Sequence, residues 1–116
     1  MTGSGQWTVR LSASAETDLQ EIVAWTETNL GAIQAARYAE TLSVTIATLF
    51  EGPDVPGVRR RPELGMEIHS LHVAHSGKKG RHLLLFRVSP SAPRVIEVMR
   101  ILHDAMDLPR HLPPAH

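Results

Sequence analysis

Two apolar runs near the C-terminal end limit what this chain can fold into. Residues 81–88 read Arg-His-Leu-Leu-Leu-Phe-Arg-Val and residues 94–103 read Arg-Val-Ile-Glu-Val-Met-Arg-Ile-Leu-His, with Ser-Pro-Ser-Ala-Pro between them. Branched and aromatic residues on both sides of a short proline-containing break predict two strands joined as a hairpin. Proline cannot donate to a sheet ladder, so Pro90 and Pro93 fix the connection. In the first run Leu84, Phe86 and Val88 share one face, and Leu83, Leu85 and Arg87 share the other. A strand apolar on both faces is a central strand covered on both sides. In the second run strict alternation puts Ile96, Val98, Arg100 and Leu102 on one face, and Val95, Glu97, Met99 and Ile101 on the other. Such strands need cover, and the preceding chain supplies it.

That cover is helical. After a short alternating strand carrying Trp7, Val9 and Leu11 on one face, Ser12 and Ser14 offer N-caps, and Glu16 and Asp18 complement the positive helix end. Ala15, Leu19, Ile22, Val23, Thr26 and Leu30 hold helical spacing over residues 15–30, and Gly31 ends the run. A second stripe of Ala35, Tyr38, Ala39, Leu42, Ile46 and Leu49 predicts a helix over residues 32–50, closed by Gly52-Pro53. Two amphipathic helices with almost no linker form a helical hairpin. The predicted core is Leu19, Ile22, Leu42, Ile46, Leu84, Phe86, Val98 and Ile101.

Residues 54–65 read as a loop, broken by Pro56, Gly57, Pro62 and Gly65. Residues 66–73 read as a strand with a fault. Met66 and Ile68 share one parity and Leu71 and Val73 the other, so a bulge near His69-Ser70 would align them. The order strand, helix, helix, three strands (β-α-α-β-β-β) predicts a two-layer α+β domain with an antiparallel sheet and the hairpin on one face. Residues 1–6 read as a flexible start, 7–108 as the domain and 109–116 as a flexible tail.

With 116 residues one domain is expected, and no cysteine is present for disulfides or thiolate metal sites. No run is apolar enough to span a bilayer and the start lacks a signal peptide, so the chain reads as cytosolic. Formal net charge is +0, yet it divides unevenly. Residues 1–54 hold seven acidic and two basic residues, a net of −5, and residues 55–116 hold five acidic and ten basic, a net of +5. The basic sheet half suits an acidic or anionic partner; a dipolar but idle surface is the plain alternative.

The C-terminal run now points to a family. Gly80-Arg81-His82-Leu83-Leu84-Leu85-Phe86-Arg87-Val88, then Val95-Ile96-Glu97-Val98-Met99-Arg100-Ile101-Leu102-His103-Asp104-Ala105-Met106-Asp107 and His111-Leu112, resembles ParE toxins of the ParE/RelE superfamily. The Leu11-Ser12, Asp18-Leu19, Gly31 and Tyr38 steps of the helical part also fit. The resemblance spans residues 7–112. It implies the toxin of a type II toxin–antitoxin pair, neutralised by a ParD-type antitoxin and acting on DNA gyrase. It also implies a sheet with the first strand beside the last and both helices on one face.

RelE-like relatives instead cut messenger RNA on the ribosome. The resemblance to them implies a basic residue early in the central strand, another after the last strand, and a tyrosine nearby. Here those early positions hold Leu83 and Leu84, the only tyrosine is Tyr38 on a helix, and Arg100 and His103 offer a cation and an acid without an evident base. The expected protein is therefore a binding protein without catalytic residues, cofactor or metal. RelE-like ribonuclease and inactive antitoxin-binding module stand as alternatives.

The resemblance places target contact at Arg100, His103, Asp104, Met106 and Asp107. Antitoxin contact is expected at Trp25, Arg59, Arg60, Arg61, Arg81 and Arg87. Bland counterparts stand beside these: the arginine triplet as a solvated loop, Trp25 as core, Arg87 and Arg100 as structural partners of Glu97, and Met106 with Leu108 as a cap on the sheet edge. His69, His72 and His75 alternate faces along a strand and so do not converge on a metal.

Overall fold

In the computed structural model, which describes residues 6–65 and 67–105, the helical hairpin covers one face of a five-stranded sheet. The strands are β1 (Thr8–Leu11), β2 (Val58–Arg60), β3 (His69–His72), β4 (His82–Val88) and β5 (Val95–His103), and the helices are α1 (Ala13–Leu30) and α2 (Ala32–Thr48). The α+β two-layer class is as read from the sequence. Met66 and residues 106–116, including the expected tail and Met106 and Asp107, lie outside the described residues, as does most of the expected flexible start.

The sheet order is β1-β5-β4-β3-β2. The first strand lies beside the last, but parallel to it, so the sheet is mixed rather than wholly antiparallel. Side-chain alternation is the same for either strand direction, which is why the pattern did not show it. The sheet also gains β2 inside the segment read as a loop. Three residues between Pro56-Gly57 and Pro62 are too few to show a period.

The β4–β5 hairpin carries the correction that matters most. Leu85 pairs with Arg100 but Phe86 pairs with Val98, leaving Met99 as an extra residue. A bulge of this kind reverses the parity of everything beyond it. Ile96 and Val98 therefore share the helix-side core with Ile101, which strict alternation had placed on the opposite face. Leu102 joins Leu83 and Leu85 on the far face, against Leu64. The expected bulge at His69-Ser70 is absent: β3 pairs regularly with β4, and the irregularity precedes it at Glu67, whose φ is 71°.

The helix-side core is Leu42, Leu84, Phe86, Ile96, Val98 and Ile101, with Leu19, Ile22 and Ile46 packed against it. On α1 the stripe holds at Ala15 and Thr26 but Leu30 is exposed. Ser12 caps α1 by accepting from Ala15 N–H at 3.0 Å. Gly31 at φ 95° makes the sharp turn between the helices.

Candidate functional site

β1 pairs with only the first four residues of the nine-residue β5. The start of α1 covers the next stretch of that edge. Ser12 N–H donates to Val98 O at 3.0 Å and Ser12 Oγ donates to Met99 O at 2.8 Å. Asp18 Oδ2 then accepts from Ile101 N–H at 2.9 Å. The same carboxylate takes Arg100 Nε at 2.7 Å and Arg100 Nη2 at 2.8 Å. Arg100 therefore has its main partner on α1, not in Glu97. The pair floors a shallow cleft that includes Ser14, Thr17 and Glu21. Its hydrogen bonds to Asp18 raise the Arg100 pKa above its ordinary value.

Beyond this, the ends of β3, β4 and β5 bring six polar side chains together. His82 pairs with His103, and His72 with Leu83 beside it. Asp104 N–H donates to Arg81 O at 2.7 Å, which carries the hairpin one step past its last ladder pair. From α2, Tyr38 Oη lies 2.7 Å from His82 Nδ1. Gly80 makes room for it: a Cβ there would sit 2.5 Å from Val73 Cγ2 and 2.7 Å from Tyr38 Oη.

Asp104 is the electrostatic centre of the cluster. Arg81 Nε lies 3.1 Å from Oδ1 and 3.2 Å from Oδ2. His72 Nδ1 accepts from Ala74 N–H at 3.0 Å, so its Nε2–H donates to Asp104 Oδ2 at 2.8 Å. Arg81 first, then His72, hold the Asp104 pKa down to about 2. His103 Nδ1 accepts from Ala105 N–H at 3.1 Å and stands 3.6 Å from Asp104, beyond hydrogen-bond distance.

His82 is the opposite case. Burial, and then the neighbouring His103, push its pKa down to about 4. The His82 and His103 rings meet edge to face, 5.4 Å between centroids. Burial raises the Tyr38 pKa, so the phenol keeps its proton and donates to the uncharged imidazole.

Of the residues singled out from sequence, the fold joins Arg81, His103 and Asp104 in this one cluster. It adds Tyr38, His82 and His72, which sequence reasoning did not assign to a site. No signal for His82 was present in the sequence, since counting back from the loop sets it opposite Leu102 and only the extra residue at Met99 brings it opposite His103. Nor was there one for Tyr38, because only the packing of α2 delivers it.

The other candidates lie apart. Arg87 Nε donates to Glu97 at 2.8 Å, the expected strand partner, which Arg10 also approaches at 3.4 Å. Arg61 donates to Ser70 Oγ at 2.9 Å and pairs with Glu63 at 3.4 Å. Arg59 and Arg60 are exposed on β2. Trp25 is 62% exposed, so it is not core, and Leu30 and Ile33 near the hairpin turn are exposed with it. His69 and His72 are half-buried, and the His69 ring stacks on Phe86 with 5.5 Å between centroids. No three described His, Asp or Glu side chains are placed to hold a metal ion, and no described helix is long and apolar enough to cross a membrane.

Comparison with known proteins agrees with this architecture. Residues 9–108 match the family described as ParE toxin of type II toxin-antitoxin system, parDE. Toxin ParE1 of Caulobacter vibrioides is 31% identical over 104 residues, covering 89% of this chain and 95% of that protein. The fold is shared with a chain of the chromosomal ParDE TA system from P. aeruginosa, at a TM-score of 0.67 and 17% identity over 86% of this chain and 98% of that one. It is shared also with a chain of the toxin-antitoxin complex RelBE2 from Mycobacterium tuberculosis, at a TM-score of 0.54 and 17% identity, covering 84% and 96%. By its match over residues 9–108 and its identity to Toxin ParE1, this chain belongs to the ParE toxin family of type II toxin–antitoxin systems.

Proposed function

We propose that this chain inhibits DNA gyrase and is held silent by a ParD-type antitoxin. The observation that carries the reading is the family match, which runs through both helices, the sheet and the polar cluster at its end. Two of the structural relatives are named as toxin–antitoxin assemblies. The target contact assigned here is Arg100, His103 and Asp104 with the residues that follow, Arg100 being held in place by Asp18. The antitoxin contact is Trp25 with Arg59, Arg60, Arg61, Arg81 and Arg87, where an exposed indole and the exposed Arg59, Arg60 and Arg81 suit an interface anchor and a charged rim.

Binding without catalysis fits the electrostatics. Cleaving RNA needs a fixed cation, a base and an acid aimed at one phosphate. Here Asp104 neutralises Arg81, and His82 stays uncharged down to about pH 4. One geometry favours a second reading, RelE-like RNA cleavage: Tyr38 orients His82 beside His103. Expression in bacteria separates the readings. The gyrase reading predicts growth arrest with relaxed plasmid DNA, relieved by the antitoxin. Arrest with intact supercoiling and cut messenger RNA would establish the ribonuclease instead, and no arrest would leave an inactive antitoxin-binding module.

A further inference from the structure

The sheet has two edges, and they are treated differently. Just before β1, Trp7 N–H donates to Phe50 O at 3.3 Å, so the 3-10 turn after α2 overlies that edge at its start. The other edge is β2, and it is bordered by arginine. Arg61 N–H donates to Ile68 O at 2.8 Å, in the register that pairs Arg59 with Ser70 and Arg60 with His69. Antiparallel ladders alternate bonded and non-bonded pairs, so Arg59 and Arg61 bond to β3 while Arg60 N–H and C=O point outward. Val58 N–H is already turned to Val55 O at 3.2 Å.

The side chains divide between the two faces. Arg59 stands opposite Ser70, which pairs with Leu85 on the far face. Arg60 stands opposite His69, which pairs with Phe86 on the helix face. No described carboxylate is within ion-pair distance of either guanidinium, whereas Arg61, Arg81, Arg87 and Arg100 each have one. An outward-facing edge bearing cations on both faces opposes pairing with a second copy of itself and suits an extended acidic segment.

We infer that the antitoxin adds a strand to β2, pairing its backbone with Arg60 and presenting two adjacent acidic residues, one to Arg59 and one to Arg60. They must be adjacent because successive strand residues point to opposite faces. The inference rests on the antitoxin reading above and names the segment that reading requires. It also separates Arg59 and Arg60, which are offered, from Arg61, which is held by Ser70 and Glu63.

The test uses the full chain with a ParD-type antitoxin, co-expressed and titrated. Arg60→Pro removes the outward N–H and leaves the ladder to β3 intact, as proline on an edge strand does. Arg60→Gln keeps the amide and removes the charge. The expected result is an affinity lowered about tenfold or more by Arg60→Pro and less by Arg60→Gln. In the wild-type complex the Arg60 amide should exchange with solvent far more slowly than in the free chain, a readout that holds even if Arg60→Pro misfolds. Wild-type affinity in Arg60→Pro, or an Arg60 amide equally fast in both states, would overturn the added strand. Absence of any complex with the wild-type chain would instead remove the antitoxin reading, and this inference with it.

Discussion

Asp18 accepts two hydrogen bonds from Arg100 and one from Ile101 N–H, and its residue surface is 8% exposed. Read from the sequence, it complemented the positive end of a helix. Its larger role is to serve the edge of β5 beyond the end of β1. Removing one member of such a pair leaves the other uncompensated. Asp18→Ala should therefore cost about 3 kcal/mol in urea unfolding, and Asp18→Leu with Arg100→Met should recover much of that loss. A single-variant loss within about 0.5 kcal/mol would show that the pair is a surface decoration. At the same scale, His82 sets an acid limit. Its folded pKa of about 4 lies below the ordinary 6.5, so the unfolded chain takes the proton first. Its contribution is complete above pH 6.5 and is lost as pH falls towards 4, whereas that of Asp104 is lost only from 3.8 towards 2. Melting temperature should fall across the first interval in wild type, and the fall should flatten in His82→Gln.

At the scale of elements, the helical hairpin was legible because its apolar spacing is set by one helix period. The faces of β5 were not legible beyond Val98. The bulged Met99 has no local signature, and its effect is to exchange Ile101 and Leu102 between faces. The polar cluster shares this dependence, because His103 faces His82 only in the shifted register. Gly80 couples the sheet to α2. Gly80→Ala would drive a methyl group against Val73 and Tyr38, so it should detach the phenol from His82. The expected readout is an altered His82 titration in the imidazole NMR signals. A wild-type titration in a folded Gly80→Ala chain would mean that Tyr38 does not set the environment of His82.

The whole molecule is a dipole. Residues 1–54 carry a net of −5 and residues 55–116 a net of +5, and of the second set Arg59 and Arg60 lie on β2, Arg87 on β4, and Glu97 and Arg100 on β5. An acidic antitoxin approaching the sheet side should be steered by that field. Its association rate should fall about tenfold or more between low salt and 0.5 M, while dissociation changes less. An association rate indifferent to salt would assign docking to the apolar residues Trp25, Leu30 and Ile33 instead. The charge division and the α+β class were readable before any coordinates, since both follow from the order of residues along the chain. The parallel seating of β1 and the arrival of Tyr38 at the strand ends were not, since both depend on how distant segments pack.

The effect of the purified chain on gyrase decides the proposed function. Supercoiling of relaxed plasmid by DNA gyrase should be inhibited in a dose-dependent way, restored by an equimolar amount of antitoxin, and inhibited less by Asp104→Ala than by wild type. Undisturbed supercoiling at every concentration, with cleavage of ribosome-bound messenger RNA by the same preparation, would contradict it.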